Sequence, residues 1–288
     1  MATLMYVDNY KGSDNLPVNI NLEFENIPCE LIAIEIRNKL GLKVPQINGN
    51  ITQYTISQKG EILSEKPYVI QTLGTFGHDH EHLAQPNYET VKGKIQRKEG
   101  CRLKGRFLLD AVPGNFIFSS KGYAPTIERL RREGLDRINL EHTIKELSFG
   151  PRINKFTIFG FGIDAYQLMH TLQNRKYKNE KTIMWHLYYL KIVPTKFRYF
   201  HENKNDYYQY TANHFSENTY GRLPEINFNY DLSPITVEYK YTKMHFSTFL
   251  INVFAILGGV FTVAGIIDAI IHKSVLMILR KAQMNKLA

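Results

Sequence analysis

The chain has 288 residues, 43% of them hydrophobic and 12% aromatic, with a net charge of +9 and a mean hydropathy of −0.30, which suits one large globular domain or two small ones. Its two cysteines, Cys29 and Cys101, exclude a disulfide-rich scaffold; with no CxxC, neither a thiol–disulfide redox centre nor a zinc ribbon is available. The basic balance raises nucleic acid and anionic membrane surfaces as partners, but the cations form no nucleic-acid motif. They gather in 92–106 and at Arg129, Arg131, Arg132 and Arg137, and read as solvated loops around strands.

The first residues, MATLMYVDNYKGSDN, contain no apolar run of the signal-peptide kind. Residues 16–27 then alternate, with Val18, Ile20, Leu22 and Phe24 apolar and Asn19, Asn21, Glu23 and Glu25 between them. Period two marks a half-buried strand. Residues 30–36 alternate again through Ile32, Ile34 and Ile36, and Pro28 separates the two runs. Asn50-Ile51-Thr52 is an N-x-S/T sequon, which makes Asn50 a glycosylation candidate on a surface loop.

Further strands are predicted at 51–57, 103–110, 115–119, 155–163, 183–193, 196–201, 206–212 and 226–241. Short helices are predicted at 125–133 and 139–147. Many short strands separated by turn signals predict a β-sandwich. His78, His80 and His82 lie in GHDHEHL and leave three readings open: a metal site, a pH sensor, or a solvated loop. No G-x-S-x-G elbow, HExxH, P-loop or dinucleotide fingerprint occurs, so no enzyme activity and no cofactor are expected. Gly160-Phe161-Gly162 is a lone GxG in an aromatic run and reads as a bulge.

From Phe249 to Ile267 no residue is charged, and about 20 apolar residues suffice to cross a bilayer. A transmembrane helix is therefore predicted, with a domain at 1–243, the span at 244–272 and a tail at 273–288. Within the span Ala255 and Gly259, and Gly265 and Ala269, stand four apart. That spacing permits close helix–helix contact, and glycine is also ordinary in membrane helices. Lys273, Arg280, Lys281 and Lys286 follow the span without an acidic residue, which predicts a cytoplasmic tail and a lumenal domain. A lumenal domain needs a translocation signal, so either a further N-terminal segment lies upstream or the topology is not the one that the flanking charges predict.

Several stretches together resemble one family, the ER-vesicle proteins of the ER–Golgi intermediate compartment. Tyr230-Asp231-Leu232-Ser233-Pro234 and AILGGVFTVAGIIDAIIH from Ala255 to His272 carry the likeness most strongly. Asn26-Ile27-Pro28-Cys29, Gly100 to Gly105, Val112 to Phe116, His142-Thr143-Ile144 with Leu147 to Gly150, and Tyr189 to Thr195 follow the family order. The C-terminal wording is nearest the plant branch, without its thioredoxin-like domain.

The resemblance implies a lumenal β-sandwich, two transmembrane helices, assembly with a paralogous subunit into hetero-oligomers, and travel in coated vesicles. The first of those helices, expected just before Met5, has no counterpart here. It also implies a Cys29–Cys101 disulfide. The function implied is a membrane-anchored cargo or retrieval receptor cycling between ER, intermediate compartment and Golgi. Its partners would be lumenal cargo, the paralogue, and a vesicle coat reached through the tail. Ile278, Leu279 and Lys286 are the candidate sorting signals. The alternatives are a structural subunit that stabilises a paralogue without binding cargo, and a secretory-pathway thiol oxidoreductase.

Overall fold

The computed structural model describes residues 2–7, 15–44, 48–67, 85–135, 138–153, 163–178, 184–198, 206–218, 223–240 and 246–284. It divides into two units, Met1–Tyr241 and Thr242–Ala288.

In the first unit, β1 (Ala2–Val7) precedes β2 (Asn15–Phe24). The alternation of β2 buries Leu16, Val18, Ile20, Leu22 and Phe24 completely. Pro28 ends that run and leads into a 3₁₀ turn at Cys29–Leu31, after which β3 (Ala33–Asn38) turns Ile34 and Ile36 inward. Next come β4 (Gly49–Ile56), β5 (Ile62–Pro67), α1 (Tyr88–Gln96), β6 (Gly100–Asp110), β7 (Gly114–Ser119), α2 (Ala124–Arg132) and β8 (His142–Phe149). The unit closes with α3 (Ile163–Met169), β9 (Arg175–Tyr177), β10 (Met184–Arg198), β11 (Asp206–Asn218), β12 (Glu225–Leu232) and β13 (Ile235–Lys240).

The described strands form two sheets. One runs β1-β13-β10-β12-β7-β3, with β11 paired to the other edge of β10; the second runs β5-β4-β6-β2-β8-β9. Their inner faces share one core, in which Phe24 meets Phe118 and Phe107 meets Phe116 across the sheets at 6.1 and 5.6 Å between ring centroids. This is the predicted β-sandwich.

The predicted helix at 139–147 is instead strand β8. Ile144 and Leu147 are both fully buried although three residues apart, a spacing that mimics a helix. The cause is a bulge. Leu22 pairs with Ile144 and Asn21 with Glu146, so Lys145 is an extra residue that resets the alternation.

The runs predicted separately at 183–193 and 196–201 merge into β10, across Pro194. Along one edge of β10 the parallel pairing to β12 ends at Ile192, and that to β13 begins at Thr195. Proline, which has no N–H to give, occupies the junction between the two neighbours. The single run 226–241 correspondingly splits into β12 and β13 at Ser233-Pro234, where the Ser233 N–H donates to the Ile192 carbonyl at 2.7 Å. Of the strand expected at 155–163, residues 155–162 lie outside the described residues, including Gly160-Phe161-Gly162, and Ile163 opens α3.

The second unit is α4 (Phe246–Met284), whose stretch Phe246–Arg280 is long and apolar enough to cross a membrane. The helix does not stop at His272, because residues 274–279 contain no breaker; the segment expected as tail begins as helix.

Candidate functional site

Three histidines come together in the core, from strands far apart in sequence. His142 opens β8, with Tyr177 of β9 directly opposite. Period two on β10 puts His186 and Tyr188 on the same inward face, and the β10–β11 register sets His214 opposite Tyr188. The cluster thus joins the two sheets, with ring centroids 4.9 Å apart for His142 and His186 and 5.4 Å for His186 and His214.

Its hydrogen bonds define the tautomer of His142. The Leu140 carbonyl lies 2.8 Å from Nδ1 and can only accept, so Nδ1 carries the proton. Nε2 is then an acceptor, and the Tyr188 hydroxyl donates to it at 2.7 Å. His186 Nδ1 and His214 Nε2 are 3.1 Å apart, whereas His186 Nε2 is buried without a partner among the described residues.

Burial opposes charge here. It pushes His142 down to about 3, with the neighbouring His186 adding to the effect, and His186 down to about 4, with His214 adding. His214 is lowered by burial as well. Burial raises the Tyr188 hydroxyl, which keeps it a donor. The cluster is therefore a neutral hydrogen-bonded network near pH 7, and both ring nitrogens of His142 are engaged within it. Among the described residues no group of three or more His, Cys, Asp or Glu is arranged to hold a metal.

Sequence reasoning noticed His142 only as part of a motif and missed His186 and His214. The available signal was His186-x-Tyr188 with Leu190 and Ile192 in one alternating run. The histidines that were singled out, His78, His80 and His82, lie outside the described residues, as does Lys286.

Cys29 and Cys101, the only cysteines of the chain, are joined in a disulfide with Cα atoms 4.8 Å apart. It ties the 3₁₀ turn after β2 to β6, in the core. Asn50 is exposed, but it lies in strand β4 opposite Arg106, not in a loop. On α4, a Cβ added to Gly259 or Gly265 would meet no atom within 4 Å. The faces holding Ala255, Gly259, Gly265 and Ala269 are exposed among the described residues. Ile278 and Leu279 are exposed on the same helix.

The basic run 92–106 is loop only at its middle, where Arg97 and Lys98 form the turn between two elements. Its first part is α1, where Lys92 reaches Glu133 at 2.7 Å and Lys94 reaches Glu30 at 2.5 Å; its second part is β6.

A family model described as the endoplasmic reticulum vesicle transporter matches residues 71–268, from the middle of the sandwich into α4. The chain belongs to this family. The endoplasmic reticulum-Golgi intermediate compartment protein 1 of Xenopus laevis is 28% identical over 273 residues, 93% of this chain and 76% of that protein. Protein disulfide-isomerase 5-4 of Arabidopsis thaliana is 33% identical over 213 residues, 72% of this chain but only 42% of that protein. A crystal structure of Erv41p shares the fold with a TM-score of 0.55 at 17% identity, covering 83% of this chain and 99% of that one.

Family membership gives the chain a role in vesicle transport, at membranes of the ER and the intermediate compartment. It also gives places in the fold to the motif residues. Tyr230 to Pro234 is the crossing from β12 to β13, and His142 anchors the buried histidine network.

Proposed function

We propose that the chain is a membrane-anchored receptor subunit carrying or retrieving cargo between ER and Golgi, with the sandwich in the lumen and the C-terminus in the cytoplasm. The observation that carries this reading is that one family match runs unbroken from the sandwich into the apolar helix. Excess Lys and Arg after the span supports the orientation, and the bonded Cys29–Cys101 pair suits an oxidising lumen. Both thiols are consumed in that bond, which favours a binding role over thiol chemistry. A paralogous subunit and a vesicle coat complete the proposed set of partners.

Two measurements test it. Protease protection on intact microsomes should spare the sandwich and leave an epitope at the C-terminus accessible. Deleting the gene should raise secretion of soluble ER residents, and unchanged secretion with normal retrieval would remove the receptor role. Should ER residents stay in place while a paralogue disappears, the subunit-stabilising alternative takes over.

A further inference from the structure

The two sheets of the sandwich turn different outward faces to solvent. On the larger sheet β7, β12 and β10 present neutral Asn115, Asn227, Asn229 and Tyr189 together with Lys191 and Asp231, which pair with each other at 2.8 Å. On the smaller one, β6 runs through the middle and its outward positions are Arg102, Lys104, Arg106, Leu108 and, at its end, Asp110, alternating with buried Cys101, Leu103, Phe107 and Leu109.

These three cations differ in their surroundings. Arg102 is satisfied: its Nε donates to Asn21 Oδ1 at 2.8 Å, and Glu23 lies 3.5 Å away. Lys104 stands between Thr52 and Asn21, and Arg106 between Asn50 and Asn19, so the register gives them only neutral neighbours across the strands. Both are exposed.

Gly105 between them holds β4 close, since a Cβ there would lie 2.2 Å from the Asn50 carbonyl oxygen. A cleft of about 430 Å³ opens at this place. Lys104, Arg106 and Arg152 line it together with Asn19, Asn50, Thr52, Tyr54 and Pro151, and among the described residues no carboxylate does. Arg152 forms an ion pair with Glu146 at 3.7 Å, too long for a hydrogen bond.

We propose that this cleft is a docking site for an acidic, Asp/Glu-rich segment of a partner protein. Among the described residues no carboxylate lines the cleft, Lys104 and Arg106 have only neutral neighbours across the strands, and Arg152 is paired with Glu146 alone, so a carboxylate on a ligand would supply charge that the site lacks. Discrete carboxylates on a peptide fit such a cleft. A bilayer surface fits it less well, because among the described residues Tyr54 and Pro151 are the only apolar bodies in its lining and no large aliphatic side chain is there for insertion. The assignment goes beyond the trafficking role, which stands whether or not this cleft binds.

The test uses the full chain in nanodiscs of zwitterionic lipid and fluorescently labelled oligoglutamate, with oligoglutamine as the control peptide. Anisotropy should show binding of the glutamate peptide alone, weakening as salt rises from about 50 to about 200 mM. The triple variant Lys104→Gln/Arg106→Gln/Arg152→Gln should bind roughly tenfold more weakly. Lys191→Gln, on the other sheet, should bind as the parent does. Should the triple variant melt early, Lys104→Gln alone should still weaken binding by about threefold. Equal affinity for both peptides, or unchanged binding by these variants, overturns the proposal. Displacement of the peptide by phosphatidylserine vesicles would reassign the face to lipid. A glycan found on Asn50 by intact-mass measurement would fill the cleft and overturn the proposal equally.

Discussion

The sandwich and the terminal helix are built from the same apolar residue types and use them in opposite ways. In the sandwich Phe116, Phe228 and Tyr188 stack in series, with centroids 4.8 and 4.5 Å apart, and are fully buried. On α4, Phe261 is 74% exposed and Ile256 68% exposed within the described chain. Water drives the first arrangement; the second is stable only where the solvent is itself apolar. The same side chain therefore stabilises a fold in one region and selects an environment in the other.

The sharpest way to break the contrast is to cut the aromatic stack. Phe228→Ala removes the middle ring and should cost about 4 kcal/mol of domain stability, read from the urea midpoint. Truncating Phe261 in the same way should leave that midpoint unchanged.

Close behind comes the covalent tie. Cys29→Ser/Cys101→Ser opens a closure of 72 residues and should cost the sandwich about 4 kcal/mol in the chain-entropy account, with no effect on membrane extraction of the helix. The reverse experiment acts on the helix. Val260→Lys puts a charge in the middle of the uncharged run and should cost roughly 3 kcal/mol of membrane insertion, seen as loss from the carbonate-resistant pellet.

The smallest effect is the pH dependence. His142 and His186 have folded values of about 3 and about 4, below the unfolded value near 6.5. The unfolded chain therefore binds more protons in that range. Stability is fully present above about pH 6.5 and declines as pH falls from there toward the folded values. Between about pH 7.2 and pH 6.0 each should contribute a loss of roughly 0.7 kcal/mol, which melting curves at the two pH values would show. His142→Gln should flatten part of this slope in the sandwich, and the helix should show none.

How far the sequence was legible follows from where the physics is local. Alternation in 16–27 and the Pro28 break were readable because a strand with one buried face writes period two into the chain. The bulge at Lys145 was not, since an extra residue in one strand exists only relative to the partner β2. Pro194 misled for the same reason: a missing N–H breaks a strand only where a neighbour requires it, and the handover from β12 to β13 removes that requirement.

The sequence alone determined the apolar terminal segment, the mainly β character of the rest and, through ordered motifs, the family. Each rests on hydrophobic pattern or residue identity along the chain. Only the tertiary structure decided that His142, His186 and His214 form one network and that Lys104, Arg106 and Arg152 share one cleft. Long-range strand pairing brings these side chains together, and register between strands is a property of contacts that no single stretch of sequence contains.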